Sequence, residues 1–284
     1  MTPREAHAAG ARALVLAAAA IGGEIRPGWV PCLLEAIEAG LDIVSGAHDR
    51  LAADARLASA AQRCGRRLID IRVAPSRLLI ATGRRRTGKR LLTVGTDCAL
   101  GKKYTALALA RAFDARGLDA DFRATGQTGI MIAGSGIPID SVIADFVAGA
   151  AELLSPDAAG GHWDVIEGQG SIFHPSYAGV SLGLLHGSQP DVLVLCHAHD
   201  RDRIMGLEDY PAPSVPDAID LMVRLARLTN PDVRCAGVSL NTAGLSDAAA
   251  AALIARRQDE WKLPVADPMR PGAAFDKLVE ACIG

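Results

Sequence analysis

The stretch LLTVGTDCALGKKYTALALARA, residues 91–112, decides the reading of this chain. An apolar run (Leu91, Leu92, Val94) enters the loop Gly95-Thr96-Asp97-Cys98-Ala99-Leu100-Gly101-Lys102, which opens into a run rich in alanine and leucine. A strand, a glycine-bounded turn carrying a lysine, and a helix N-terminus follow in the order of a phosphate cradle. Backbone N–H groups of such a turn point inward, the helix dipole adds partial positive charge, and the lysine reaches the outer phosphate oxygens. Lys102, beside Gly101, is expected to present its charge to the ligand and not to be buried. Two departures from the usual GxxxxGK[ST] pattern matter. The glycines stand six apart, so the loop is one residue longer, and Lys103 replaces the hydroxyl residue that binds Mg²⁺. Thr105 is the nearest substitute.

Just upstream, Gly83-Arg84-Arg85-Arg86-Thr87-Gly88-Lys89 fits the same spacing, but it precedes a strand and has no helix behind it. It therefore lacks the phosphate-binding mechanism and reads as a basic connecting loop.

The chain has 284 residues, enough for one large or two ordinary domains. Half the residues are hydrophobic and only 4% aromatic, which suits α/β layers packed through small side chains. A formal net charge of −2 gives no reason to expect a nucleic-acid or membrane-surface partner. The first residues lack the order of a signal peptide, and Leu14–Ile21 is too short to span a bilayer. Six scattered cysteines form no CxxC or Cys/His ligand spacing, so neither disulfides nor a structural metal is expected. The chain reads as a cytoplasmic protein.

Residues 1–76 alternate strands and helices. Strands are expected at Ala13–Ala18, Leu41–Ser45 and Arg67–Ile71, with helices at Trp29–Ala39 and Leu51–Cys64. Residues 77–89 are the linker, and residues 90–284 repeat the alternation at greater length. Strands are expected there at Leu91–Val94, Ala120–Ala124, Asp164–Ile166, Asp191–Cys196, Cys235–Leu240 and Val265–Ala266. Helices are expected at Lys102–Arg116, Ile139–Leu154, Val180–Leu185, Val215–Leu228, Asp247–Trp261 and Ala273–Cys282. This is an α/β chain: a parallel-sheet domain of the P-loop type preceded by a smaller, Rossmann-like domain. Ligands of such sheets bind at the C-terminal ends of the strands.

Several polar loops fall at that edge. Arg123-Ala124-Thr125-Gly126-Gln127-Thr128-Gly129 reads as a flexible polar rim and a substrate site. Glu167, at a strand tip before two glycines, can act as a general base, hold a metal, fix an ammonium or cap the next turn. His174, His186, His197 and His199 follow, and His197 with Asp200 and its neighbours can relay protons near neutral pH. Asn241, at the end of the fifth strand, can read a purine-like base or simply form a turn.

Three segments, GTDCALGK, RATGQTG and VIEGQG, resemble the phosphate turn, QTG loop and glycine-flanked strand of dethiobiotin synthetase. A closer resemblance runs over nearly the whole chain. EAIEAGLDIVSGAHDRL, GTDCALGKKYTALALARA, ATGQTGIMIAGSGIPIDSVIADFVAGAAE and VIEGQGSIFHPSYAGVSLGLLHG are similar to the P-loop family whose characterised members are D-glutamate N-acetyltransferases. That resemblance implies a Rossmann-like N-terminal domain, of which this chain is expected to lack the first strand and helix. It also implies acetyl-CoA as co-substrate and a small-molecule amine acceptor.

On that reading Gly95, Thr96, Asp97, Gly101, Lys102, Lys103, Tyr104 and Thr105 cradle the coenzyme phosphates, with Asn241 on its base. Glu167, His174 and Lys102 are the catalytic candidates. Arg123, Gln127, Thr128 and Gly129, together with Lys103, take the substrate carboxylates. Acyl transfer needs no metal, and none is expected. A homo-oligomer is expected, with segment 143–154 serving as an interface or packing on the sheet. The competing readings are an ATP-dependent enzyme of the dethiobiotin-synthetase type that activates a carboxylate, and a nucleotide-binding regulatory protein. Lys103 favours the metal-free cradle over the former.

Overall fold

The protein is seen here as a computed structural model that describes residues 1–17 and 21–284. In the N-terminal unit α1 (Pro3–Ala8) is opened by a capping box between Thr2 and Glu5. It leads to β1 (Ala13–Leu16); the expected extension to Ala18 lies outside the described residues. A 3₁₀ turn at Pro27–Trp29 precedes α2 (Val30–Glu38), and β2 (Asp42–Ser45) follows. The helix expected from Leu51 starts only at Ala55. Asp54 is extended there and caps α3 (Ala55–Cys64) through Arg56 N, so Leu51–Ala53 forms a separate 3₁₀ turn. With β3 (Leu68–Asp70) the strands make a parallel sheet in the order β1-β2-β3. Leu33, Ile37, Ile43, Leu51 and Leu57 are its buried core.

The larger unit opens with β4 (Lys89–Gly95), α4 (Lys102–Asp114), β5 (Ala120–Arg123), α5 (Gln127–Ala133) and α6 (Val147–Leu154). It continues through β6 (Trp163–Ile166), α7 (Ala178–Ser188), β7 (Val192–Ala198) and a hairpin of β8 (Arg203–Ile204) and β9 (Leu207–Pro211). It closes with α8 (Val215–Ala226), β10 (Arg234–Asn241), α9 (Asp247–Trp261), β11 (Val265–Ala266) and α10 (Ala273–Ile283). Six parallel strands lie in the order β11-β10-β7-β4-β6-β5, so β4 is central. Alternate residues of β4 feed opposite faces. Leu92 and Val94 pack with Val147, Leu184 and Met222, while Leu91 packs with Leu109, Phe113 and Leu278. Helices on both faces leave the loops at the strands' C-terminal ends as the open rim.

Two local expectations are corrected. The rim at 123–136 is not simply a flexible loop; Gln127–Ala133, half of it, is α5. The helix expected over 139–154 is broken into 3₁₀ turns at Ile139–Ser141 and Ala144–Phe146 before α6. Ile137 N and Ile139 N donate to Ala124 O and Thr125 O, which dock this segment onto the end of β5 and hold Val142 and Ile143 extended. Its alanines pack within the chain against α7, where a Cβ on Gly187 would fall 2.1 Å from Ala148 O. The hairpin at 203–211 was not anticipated, since its two strands are short and polar.

The basic loop lies at the opposite, N-terminal edge of β4. Arg86 and Arg90 are buried there on the carbonyls of Gly187, Ser188 and Thr87, and Arg84 pairs with Asp157. No helix among the described residues is long and apolar enough to cross a membrane.

Candidate active site

The turn between β4 and α4 needs two left-handed residues, Ala99 (φ 55°) and Gly101 (φ 105°), to bring its backbone round onto the helix N-terminus. Lys102 is only 6% exposed, and its Nζ donates to Asp97 O at 2.9 Å, across the mouth of its own loop. The expectation of an unburied lysine is thus corrected. Burial lowers its pKa, because the charged form loses solvent. Lys103 stays partly exposed, its Nζ 4.5 Å from the centre of the Tyr104 ring. Thr105 does not substitute for the missing Mg²⁺ hydroxyl: it is buried beneath the loop, 2.7 Å from Ser239 Oγ on β10.

Glu167 directly follows β6 and joins two elements of the rim. Its Oε2 accepts from Thr125 N at 2.9 Å and from Gly126 N at 3.0 Å, and its carbonyl accepts from Thr125 Oγ1. Burial raises its pKa, opposed by those two N–H groups and by the charges of Lys103 and Lys102. The entry to α5 and the charges of both lysines therefore act on one carboxylate. Gln127 faces the N-terminal unit, where a Cβ on Gly46 would meet its Cγ at 2.7 Å.

Asp97 is fully buried and turned toward the hairpin. Its Oδ1 accepts from Cys98 N, and its Oδ2 from Arg201 Nη1 at 2.8 Å and Met205 N at 2.7 Å. His174 lies alongside: Nδ1 accepts from Ser176 N and Nε2 bonds Met205 O at 3.2 Å. One ligand-capable atom each from Asp97, Cys98 and His174 lies within 4.8 Å of the others. Those of Asp97 and His174 are already hydrogen-bonded, and burial pushes the Cys98 thiol up to about 11. Asp97 and His174 use these atoms to brace the hairpin on the cradle.

Other candidates stand apart. Arg123 points back along its strand to Asp164 (2.6 Å) and Asp121 (3.0 Å), away from the rim. Asn241 Oδ1 accepts from Ala243 N, so its side chain forms the turn. The histidines do not converge, since His186 bonds Leu225 O and His199 bonds Ala243 O. His197 Nδ1 sits 2.9 Å from Thr96 Oγ1. Burial, with Arg257 and Arg201 nearby, brings its pKa down to about 4, so it is no proton relay at neutral pH. The roles of Arg201 and Cys98 beside the cradle escaped sequence reading; the run Asp200–Arg203 at a strand end was the available signal.

The fold and this rim define a two-domain α/β protein of the P-loop class. Two family models match it: a domain of unknown function described as the DUF1611 Rossmann-like N-terminal domain over residues 1–74, and the DUF1611 P-loop domain over residues 79–279. The chain belongs to the DUF1611 family. A protein of Pseudoalteromonas sp. named D-glutamate N-acetyltransferase is 50% identical over 94% of this chain and 81% of its own length. One of the same name from Tritonibacter scottomollicae is 48% identical over 99% and 84%. The crystal structure of a DUF1611 family protein from Anabaena variabilis superposes with a TM-score of 0.91 at 36% identity, covering 99% of this chain and 82% of that one. By these relatives the chain is an enzyme of the N-acetyltransferase class.

Proposed function

We propose that the protein moves an acetyl group from acetyl-CoA to the amine of D-glutamate or a closely similar acidic amino acid. The substrate class follows the name carried by the two relatives. The observation that carries the donor is the cradle itself, with Lys103 where a Mg²⁺-binding hydroxyl would stand and Thr105 turned away beneath it. Such a cradle suits the pyrophosphate or 3′-phosphate of coenzyme A, held by the α4 N-terminus, Lys102 and Lys103.

The amine must lose a proton before it attacks the thioester carbonyl. Glu167, with its pKa raised by burial, is suited to accept it through Oε1, since Oε2 already takes two N–H groups. His174 has both ring nitrogens engaged and is assigned to holding the hairpin on the cradle. The developing oxyanion on the thioester needs N–H or O–H donors of its own, apart from those that hold the coenzyme phosphates.

Purified protein given acetyl-CoA and D-glutamate should release free thiol and form N-acetyl-D-glutamate, with EDTA making little difference. Mg²⁺-dependent phosphate release from ATP, with no thiol from acetyl-CoA, would replace this reading by the synthetase one. A thermal-shift series with ATP, GTP, CoA and acetyl-CoA, each with and without Mg²⁺, checks the ligand independently.

A further inference from the structure

The N-terminal unit meets the rim through a small set of polar groups that the cradle chemistry does not use. Arg72, just after β3, has a side chain only 11% exposed. Its Nε donates to Gly46 O, and its Nη1 contacts both His48 Nε2 and the Asp140 carboxylate of the larger unit. His48 Nε2 is itself 3.8 Å from Asp140 Oδ2. Nε and Nη1 are thus engaged, and the Nη2 edge of the guanidinium is left for a further acceptor. On the other side, Asp140 Oδ1 and Ser141 Oγ are buried with no hydrogen-bond partner among the described residues. Buried polar atoms without partners are costly and call for an explanation.

The cluster adjoins the candidate catalytic carboxylate. Asp140 follows Ile139, whose N–H bonds Thr125 O, and Thr125 N bonds Glu167. Gln127, against Gly46, follows Gly126, the other N–H on Glu167. The interdomain contact is thus tied, through two hydrogen-bonded segments, to the peptide groups that hold Glu167.

We propose that this interdomain contact is the amino-acid subsite: Arg72 takes a carboxylate of the acidic amino acid and Asp140 takes its ammonium. This rests on the acyl-transfer reading above. A cation and an anion in direct contact match the adjacent charges of an α-amino acid, and insertion of the zwitterion exchanges one ion pair for two. The Asp140 carboxylate already on Arg72 shows that the guanidinium's surroundings accept that group. An ammonium hydrogen supplies the donor that Asp140 Oδ1 lacks. The Rossmann-like unit thereby becomes half of the substrate site.

The test uses Arg72→Gln and Asp140→Asn in the full chain, with KM measured separately for D-glutamate and acetyl-CoA. Loss of a charge-assisted contact should raise KM for D-glutamate about 10- to 100-fold and leave KM for acetyl-CoA nearly unchanged. An unchanged KM for D-glutamate in a folded Arg72→Gln protein overturns the subsite while leaving the reaction intact. If both KM values rise together with a lowered Tm, Arg72 and Asp140 are only a clasp between the units, and the subsite is again overturned. Calorimetry with D-glutamate alone separates the two readings. Binding by the unsubstituted protein that Arg72→Gln abolishes, without any thiol release from acetyl-CoA, upholds the subsite and removes the reaction.

Discussion

Gly129 lies directly against the Glu167 carboxylate: a Cβ built on it would fall 2.2 Å from Oε2. That oxygen is pinned by Thr125 N and Gly126 N and cannot swing aside. Gly129→Ala should therefore push either α5 or Glu167 out of place. Overpacking of this kind costs about 1–3 kcal/mol. Urea unfolding should show a lower midpoint with an unchanged slope, and acetyl transfer should fall further than stability does.

Glu167→Gln separates the chemistry of this carboxylate from its structural work. A glutamine oxygen can still accept the two N–H groups, so the rim should keep its shape. Removal of a general base costs ~10²–10⁴ in rate, so kcat should drop while KM for acetyl-CoA stays nearly constant. Because burial raises the folded-state pKa, the protonated form of Glu167 adds stability that the ionised form does not. That contribution is present below the unfolded pKa and is lost as pH rises through the raised value. At pH 8 the glutamine variant should accordingly melt at or above the temperature of the parent. Normal kcat would leave Glu167 as an anchor for α5 and nothing more.

The sequence disclosed the sheet, because each strand is a short apolar run and the P-loop turn sits between β4 and α4 with its glycines in place. It placed Asp247–Trp261 and Val265–Ala266 to the residue, where capping and turn signals are local. It missed what long-range contacts decide. The entry to α5 is fixed because Glu167, far along the chain, accepts from Thr125 N and Gly126 N just before the helix. Segment 139–146 is held by carbonyls of Ala124 and Thr125 against its own helical pattern. Arg123 carries a suitable charge at a strand end, but Asp121 and Asp164 draw it back along the strand. Nothing in the spacing of Arg72 and Asp140 shows that two domains bring them together.

Lys102→Met tests the cradle with little risk to the fold. The methionine keeps the buried stem and removes an ammonium whose pKa burial already lowers. Tm should be unchanged or slightly higher. Loss of a charged hydrogen bond to phosphate, about 2–3 kcal/mol, should weaken acetyl-CoA binding roughly 30- to 150-fold. Calorimetric titration with CoA reads this directly, and unweakened binding would remove the phosphate cradle from the account.

His197 should set part of the acid limb of stability. Its folded-state pKa is about 4 against an ordinary 6.5, so the unfolded chain binds the extra proton more readily. Its share of stability is fully present above pH 6.5 and is lost as pH falls toward 4. The difference corresponds to about 3 kcal/mol. His197→Gln should flatten the fall in Tm across that window, and thermal melts from pH 8 to 4 would show it. A parallel fall in both proteins assigns the acid limb to other groups.

The brace under the hairpin makes the last expectation. Asp97 accepts three N–H groups: Cys98 N on one oxygen, Arg201 Nη1 and Met205 N on the other. Asparagine offers one oxygen and one amino group, so in either orientation a donor faces a donor. Breaking a buried ion pair on one side costs about 3 kcal/mol or more. Asp97→Asn should therefore lower the urea midpoint and release amide protection in β8 and β9 before the central sheet exchanges. Adding Arg201→Gln should cost less than the sum of the single changes, because the second substitution removes a charge already left without its partner. Full additivity of the two would show that Asp97 and Arg201 act independently, with the hairpin held through Met205 by Asp97 and His174 and not by the ion pair.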